Sequence, residues 1–276
     1  MSVIQRIPGL VAASGMPAVI IPPAPWSPAD IPGIVGFWVP DTLGLSPGNA
    51  VASLPSSAAT PQTLEQSSAS ARPLYTLQNS EGALNFDGAD DGLLTPDGTL
   101  TNAAQSISFF TLVKLDALPT ATTFYSMLFR TPITAGAAQV RIFLGVDNAT
   151  KKWAMGSRVL DAGGLVPFLS SVVADTNPHV LSATFGFAAQ QMRIYLDGTR
   201  IANLNPAAAY TLPASDIAPT MIGNTLDCVM GPHGYTKSAT AMADLDRQKW
   251  EGWAAHYWGI AANLPSDHPF KLAPPT

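Results

Sequence analysis

The clearest pattern along the chain is a short alternation around a turn. Met192, Ile194 and Leu196 alternate with Arg193, Tyr195 and Asp197, which is the period of a strand with one buried face. Asp197-Gly198 then supplies the two positive-φ positions of a type I′ turn. A two-residue loop there predicts a hairpin in which Leu196 faces Thr199, Tyr195 faces Arg200 and Ile194 faces Ile201. Further β-rich runs at 106–115, 124–130, 139–146, 152–155, 179–187 and 220–224 are separated by Pro, Gly, Asn and Asp. Residues 34–39, apolar on both faces and bounded by Pro and Gly, predict a buried first strand. Residues 42–72 are mostly Ser, Ala, Pro, Gly and Gln, the composition of a long surface excursion with short pairings at most.

One stretch has a helical period. Over 244–258, Trp250, Trp253, Ala254 and Tyr257 fall at i, i+3, i+4 and i+7, an apolar stripe that must be buried. Arg247 and Glu251 form an i, i+4 pair that this register places on the solvent side. Asp244 and Asp246 suit the N-terminal end, and Gly259 supplies the stop. Gly252 inside a helix costs ~1 kcal/mol relative to Ala, so a close neighbour is expected there. The tail 264–270 is expected to fold back with Phe270 as its anchor. Many short strands, one late helix and no repeat predict an all-β chain: a two-sheet antiparallel sandwich with one C-terminal α-helix packed on it.

The body runs over 26–276 as one domain. Residues 1–25 form an apolar arm that ends in a Pro-rich linker. Val11, Val19, Ile20 and Ile21 would be poorly solvated in a free tail, so the arm is expected to dock, against another subunit ahead of its own domain. Pro8, Gly9, Gly15 and Pro17 interrupt any signal-peptide helix. No apolar run reaches the ~20 residues of a membrane span, so no membrane insertion is expected.

Composition narrows the function. Hydrophobic residues make up 47% of the 276, ample for a single large core. Net charge is −5 with no basic cluster, which argues against nucleic acid as a partner. The single Cys228 excludes an internal disulfide. Only 12% of residues are charged, about half the usual ~25%, as suits a surface partly covered by neighbours or an Ala- and Pro-rich proteome.

Three ordered pieces carry a resemblance. The hairpin 192–201 with the strand 179–185 before it, the segment 84–91 (LNFDGADD), and the closing run 246–259 with 263–265 and 268–270 resemble the concanavalin A-like, laminin-G-like jelly rolls, in the version found in bacteriophage virion proteins. Together they span roughly residues 26–271. A Trp and an Asp-containing motif usual in that family within 42–72 are missing here. The resemblance implies a non-enzymatic virion structural protein on a capsid, tail or fibre surface, tethered by its arm to other virion proteins and to copies of itself. It also implies a host-surface glycan as a partner. A glycan-binding adhesin is the alternative, and a divergent polysaccharide lyase a third reading.

Candidate chemistry is sparse. A retaining glycosidase needs two carboxyl groups ~5 Å apart, yet the only glutamates are Glu65, Glu81 and Glu251, none with an acid two residues away. A lyase would want a Tyr/His pair, for which Tyr195 and His179 are available on strands that can be neighbours. Asp87, Asp90 and Asp91, with Asp97 nearby, offer the hard oxygen ligands that calcium prefers, and laminin-G-like relatives often carry that ion at a sandwich edge; Asp87-Gly88 is equally a good turn. No other cofactor is expected. His233, His256 and His268 lack the spacing of a zinc site. For a glycan, Trp153, Tyr210, Tyr235 and Trp26 are the candidate aromatic platforms, with Trp250 and Trp253 expected in the core.

Overall fold

The computed structural model describes residues 26–59, 62–96, 102–120, 125–132, 140–158, 165–206, 212, 219–223 and 225–276. Strands follow in the order β1 (Ile34–Trp38), β2 (Ser53–Leu54), β3 (Leu64–Glu65), β4 (Leu74–Gln78), β5 (Glu81–Asp87), β6 (Gly92–Leu94), β7 (Ser106–Leu115) and β8 (Tyr125–Pro132). Then come β9 (Val140–Asp147), β10 (Lys152–Ser157), β11 (Val166–Val173), β12 (Pro178–Gly186), β13 (Gln191–Leu196), β14 (Thr199–Leu204), β15 (Met221–Gly223) and β16 (Asp227–Ser238), closed by helix α1 (Asp244–Tyr257). They form two antiparallel eight-stranded sheets: β14-β13-β12-β7-β16-β5-β4 with β1 added on β16, and β11-β10-β9-β8-β15-β6-β3-β2. The all-β sandwich with one C-terminal helix is therefore the fold of this chain.

Strand β16 is the spine of the first sheet. Along one edge it pairs with β7 throughout; along the other its first half pairs with β5 and its second half with β1. The changeover falls at Gly231-Pro232, where the register with β7 shifts between Met230 and His233. Pro232 has no N–H to give a ladder, so an irregularity is where a proline fits inside a sheet.

This sheet is buried on both faces. Phe109, Val113, Leu115, Leu181, Ala183 and Phe185 point into the sandwich core, where Phe109 stacks on Phe129 of the second sheet at 4.6 Å. Phe110, Leu112, Val180 and Val229 point the other way, into a second apolar cluster with Trp250 and Ala254 of α1 and Trp258, which caps the helix. The Phe110 and Trp250 rings lie 4.7 Å apart. Burying a side chain of this size stabilises by about 1.5–3 kcal/mol. That explains why β7 reads as a nearly continuous apolar run instead of an alternation.

The helix departs from its expected register in one respect. Arg247 and Glu251 are not on the solvent side: Glu251 is fully buried and Arg247 is only 7% exposed. The Arg247 guanidinium donates from Nη1 to both carboxylate oxygens at 2.7 and 2.6 Å and lies 3.9 Å over the Tyr195 ring. His268, folded back on the C-terminal tail, brings Nε2 to 3.4 Å from Glu251. The helix is covered by the sheet on one side and by its own tail on another, so an i, i+4 pair that looks exposed on a helical wheel is enclosed.

Two other expectations meet the structure differently. The hairpin turn has Asp197 and Gly198 at φ 48° and 80°, and Leu196↔Thr199 and Tyr195↔Arg200 pair as expected. Ile194 then pairs with Ala202 instead of Ile201, because the register shifts between Ile194 and Tyr195 and leaves Ile201 as the extra residue on β14. Among its described residues, segment 42–72 gives the two-residue β2 and β3 and a 3-10 turn at Ala69–Ala71, yet Val51, Leu54 and Leu64 from it are core residues.

A Cβ on Gly252 would sit 2.2 Å from Cβ of Phe270. Gly252→Ala is therefore expected to destabilise the protein in urea unfolding by about 1–3 kcal/mol through overpacking, against the ~1 kcal/mol that helix propensity alone would add; a gain in stability would show that the tail does not press on the helix. His233 on β16 is fully buried, donates Nδ1–H to the Gly231 carbonyl at 3.0 Å and stacks on Trp38, and burial lowers its pKa to about 4. The unfolded chain takes up that proton near pH 6.5, so this group's contribution is complete above that pH. Roughly 3 kcal/mol is lost as pH falls to about 4. An NMR titration of the His233 ring checks it, and a midpoint near 6.5 would contradict the burial.

Candidate functional site

Carboxylates gather where β5, β16 and β7 end together. Asp87 closes β5, its Oδ1 accepts the Ala89 N–H at 2.8 Å, and Asp91 Oδ2 accepts the Asp87 N–H at 3.1 Å. This Asx-type turn swings Asp90 and Asp91 back beside Asp87 before β6 begins. One oxygen from each of the three lies within 4.8 Å of the others. Antiparallel register places Asp227, the first residue of β16, opposite Asp87, and the Asp116 N–H donates to the Asp227 carbonyl at 3.1 Å. Lys114 pairs with Asp116 at 2.6 Å.

The like charges are felt. Burial, then Asp87 and Asp90, raise the Asp91 carboxyl above its usual range despite the N–H it accepts. Burial, then Asp116 and Asp87, raise Asp227, with Lys114 opposing. A cleft of about 210 Å³, open to solvent, lies against this corner and is lined by Asp87, Gly88, Ala117, Leu118, Pro119, Thr120, Thr225 and Asp227. Outward carboxylates and a hydroxyl-bearing wall can accept and donate hydrogen bonds to a polyhydroxylated ligand. The Asp87, Asp90 and Asp91 oxygens also fit a calcium ion, whose ligands sit 2.3–2.6 Å from the metal and so within ~5 Å of each other. Among the described residues this is the one group of three or more His, Cys, Asp or Glu close enough to hold a metal.

Asp87, Asp90 and Asp91 are thus brought together as the sequence suggested, whereas Asp97 lies outside the described residues. Asp116 and Asp227 were missed, since only the pairing of β16 with β5 and β7 brings them here. The aromatic platforms need correction. Trp153 and Tyr235 are both 0% exposed: each points between the sheets, where Tyr235 packs on Phe129 at 5.5 Å and burial drives its hydroxyl pKa up. A ring with no exposed face cannot stack on a sugar. Tyr210 and the arm residues Val11, Val19, Ile20 and Ile21 lie outside the described residues. Trp26 is half-buried beside Lys249. Trp250 is in the core as expected, while Trp253 is half-buried and Tyr257 stacks on it at 5.0 Å.

The Tyr195/His179 pair does not form. Tyr195 pairs with Ser182, three residues from His179, so alternation puts the two side chains on opposite faces. His179 instead sits between Asp197 (2.6 Å) and Asp175 (3.1 Å). Burial alone would lower its pKa, but the two carboxylates outweigh that and raise it. Glu251, enclosed with Arg247, is not available to substrate.

The chain matches no protein-family model and no curated protein. Solved structures share its fold. Domain 4 of AbnA, a GH43 extracellular arabinanase from Geobacillus stearothermophilus, in complex with arabinotriose, aligns at 12% identity over 79% of this chain and 97% of that one, with a TM-score of 0.52. The binding domain of Paraclostridial Mosquitocidal Protein 1 aligns at 7% identity over 84% and 56%, TM-score 0.58. The Trypanosoma rangeli sialidase aligns at 15% identity over 85% and 34%, TM-score 0.53. The chain spans about a third of the sialidase and just over half of the toxin domain. At these identities the likeness establishes a jelly-roll-like β-sandwich.

Asp91→Asn removes one of the crowded charges and keeps a carbonyl oxygen for the Asp87 N–H. In chelator at pH 7 the variant is expected to melt higher than the parent. Calcium should raise the parent's Tm and leave the variant nearly unmoved. No calcium-dependent shift in the parent would show that the corner holds no cation.

Proposed function

We propose that this chain is a non-enzymatic glycan-binding sandwich domain displayed on a phage or phage-like particle. The observation that carries the binding half is the solvent-open cleft flanked by Asp87 and Asp227 at the end of the sandwich. Its carboxylates suit sugar hydroxyls, and a calcium ion on Asp87, Asp90 and Asp91 would both bind hydroxyls directly and neutralise the corner. The arabinanase domain, spanned almost whole by this alignment, was solved with an arabinotriose, which supports the same reading by analogy of fold.

The particle half rests on the three ordered stretches that resemble laminin-G-like virion domains. The arm 1–25 would be the tether, with other virion proteins and further copies of this chain as partners, and the sandwich would face outward. No described helix is long and apolar enough to cross a membrane, and the charge distribution offers no footprint for nucleic acid.

On an immobilised glycan panel with calcium present, the full chain is expected to bind a restricted set of oligosaccharides without releasing new reducing ends or unsaturated products. Asp227→Asn should weaken that binding by about tenfold. Turnover of any bound glycan would move the chain to the lyase or hydrolase class, and an empty panel would remove the glycan role. Deletion of residues 1–25 is expected to leave a folded domain that no longer enters particles; a truncated chain that still assembles would show that the tether lies elsewhere.

A further inference from the structure

The solvent-open cleft at the acidic corner has an apolar side and a charged side. The apolar side is the stretch Ala117, Leu118, Pro119 and Thr120, and it is held from behind. Lys151, at φ 58° in the turn after β9, donates from Nζ to the carbonyls of Pro119 and Asn148. The Lys151 carbonyl in turn accepts the Ala174 N–H at 2.7 Å. Leu118 packs on the sandwich core with part of its side chain still exposed. This wall is therefore fixed by the fold, with Thr120 at its exposed end.

The charged side comes from strand register. Asp87 and Asp227 are cross-strand partners, so their side chains leave the same face of the sheet. Like charges placed directly opposite each other destabilise a strand pair. Gly88, at φ 73°, keeps the space beside Asp227 clear, since a Cβ there would stand 2.9 Å from the Asp227 Cβ. Lys114 is taken by Asp116 at 2.6 Å, and Lys151 is turned to its two carbonyls. Asp227 itself makes no ion pair and no side-chain hydrogen bond among the described residues. A calcium ion on Asp87, Asp90 and Asp91 would leave Asp227 as it is.

We propose that the cleft takes one residue of an amino sugar with a free amine, its ammonium between Asp87 and Asp227 and its ring against Leu118 and Pro119. This names the class of sugar for the glycan reading given above and rests on that reading; the ammonium rests on the two carboxylates. An ammonium carries three N–H donors, so it can answer both acids at once with charge-assisted bonds. An acidic sugar is repelled here, and a neutral one leaves the two charges facing each other. Size points the same way. The cleft holds about 210 Å³, below the ~300–1,000 Å³ of a pocket for a drug-sized ligand, which is the scale of one ring of a chain that continues into solvent. Thr120 and Thr225 line the cleft beside the wall and supply hydroxyls to that ring.

The test uses the full chain in chelator and two β-linked trimers: triglucosamine, which carries amines, and tri-N-acetylglucosamine, which carries acetamides in their place. By calorimetry, triglucosamine is expected to bind about tenfold or more tightly than the acetylated trimer, the scale of one hydrogen-bonded charge. Asp227→Asn should remove that preference and keep its circular dichroism, since no described side-chain bond is lost. Asp267→Asn, which removes an equal charge from the exposed part of the tail, should keep the preference. Trimers bound alike by the parent, or neither bound, overturn the proposal, and the glycan reading then stands or falls on the wider panel. A preference that survives Asp227→Asn, or that Asp267→Asn loses equally, also overturns it. Spermidine bound as tightly as triglucosamine, and lost in Asp227→Asn, overturns the proposal together with the glycan reading of this cleft, because the corner then recognises an ammonium without a sugar.

Discussion

Most of this architecture follows from the double burial of one sheet. Strands β7, β12 and β16 meet the other sheet through Phe109, Val113, Leu181 and Tyr235, and meet α1 through Phe110, Leu112, Val180 and Val229. Neither face can be left open, because both carry large apolar side chains whose exposure would cost several kcal/mol in total. A sandwich of two sheets satisfies only one of these faces. The helix, with Trp250, Ala254 and Trp258, is needed for the other.

Holding the helix there requires polar groups to be enclosed as well. Arg247 and Glu251 are buried together, with His268 from the tail against Glu251 and the Tyr195 ring from the hairpin beneath Arg247. Such a pair adds little net stability over an apolar replacement, but removing one partner strands a buried charge. What it adds is position: these contacts form together in one arrangement of helix, tail and hairpin, with Arg247 Nε left without a hydrogen-bond partner. Phe270 on Gly252 and His268 against Gly198 reinforce the same arrangement by shape. With the outer face of the first sheet walled off in this way, the strand ends, where the acidic corner lies, stay open to solvent.

Much of this was legible in the chain, and the gaps have physical causes. The hairpin at Asp197-Gly198, strands β7 to β10, β12 and the helix with its close-packed Gly252 follow from periodicity and turn chemistry. The central β16 does not. Gly231-Pro232-His233-Gly234 reads as a loop because turn residues dominate it, and only the bulge and the change of partner from β5 to β1 make it strand. The fate of Arg247 and Glu251 depends on where the tail returns, which is long-range information that a helical period does not contain. Trp153 and Tyr235 illustrate the same limit for the site: residue type fits both a sugar platform and a core, and burial decides. The three aspartates were legible because the turn that gathers them is local. Asp227 and Asp116 were not, since strand register brings them in.

Helix and tail form an integral wall of the sandwich and unfold with it. Native-state hydrogen exchange of the full chain is the measurement that decides it. Amides of α1 should exchange with opening free energies close to those of β7 and β16, as members of one cooperative unit. If α1 exchanges several kcal/mol more easily than those strands, the helix is an appended element, and the outer face of the first sheet becomes a surface that can open to a partner.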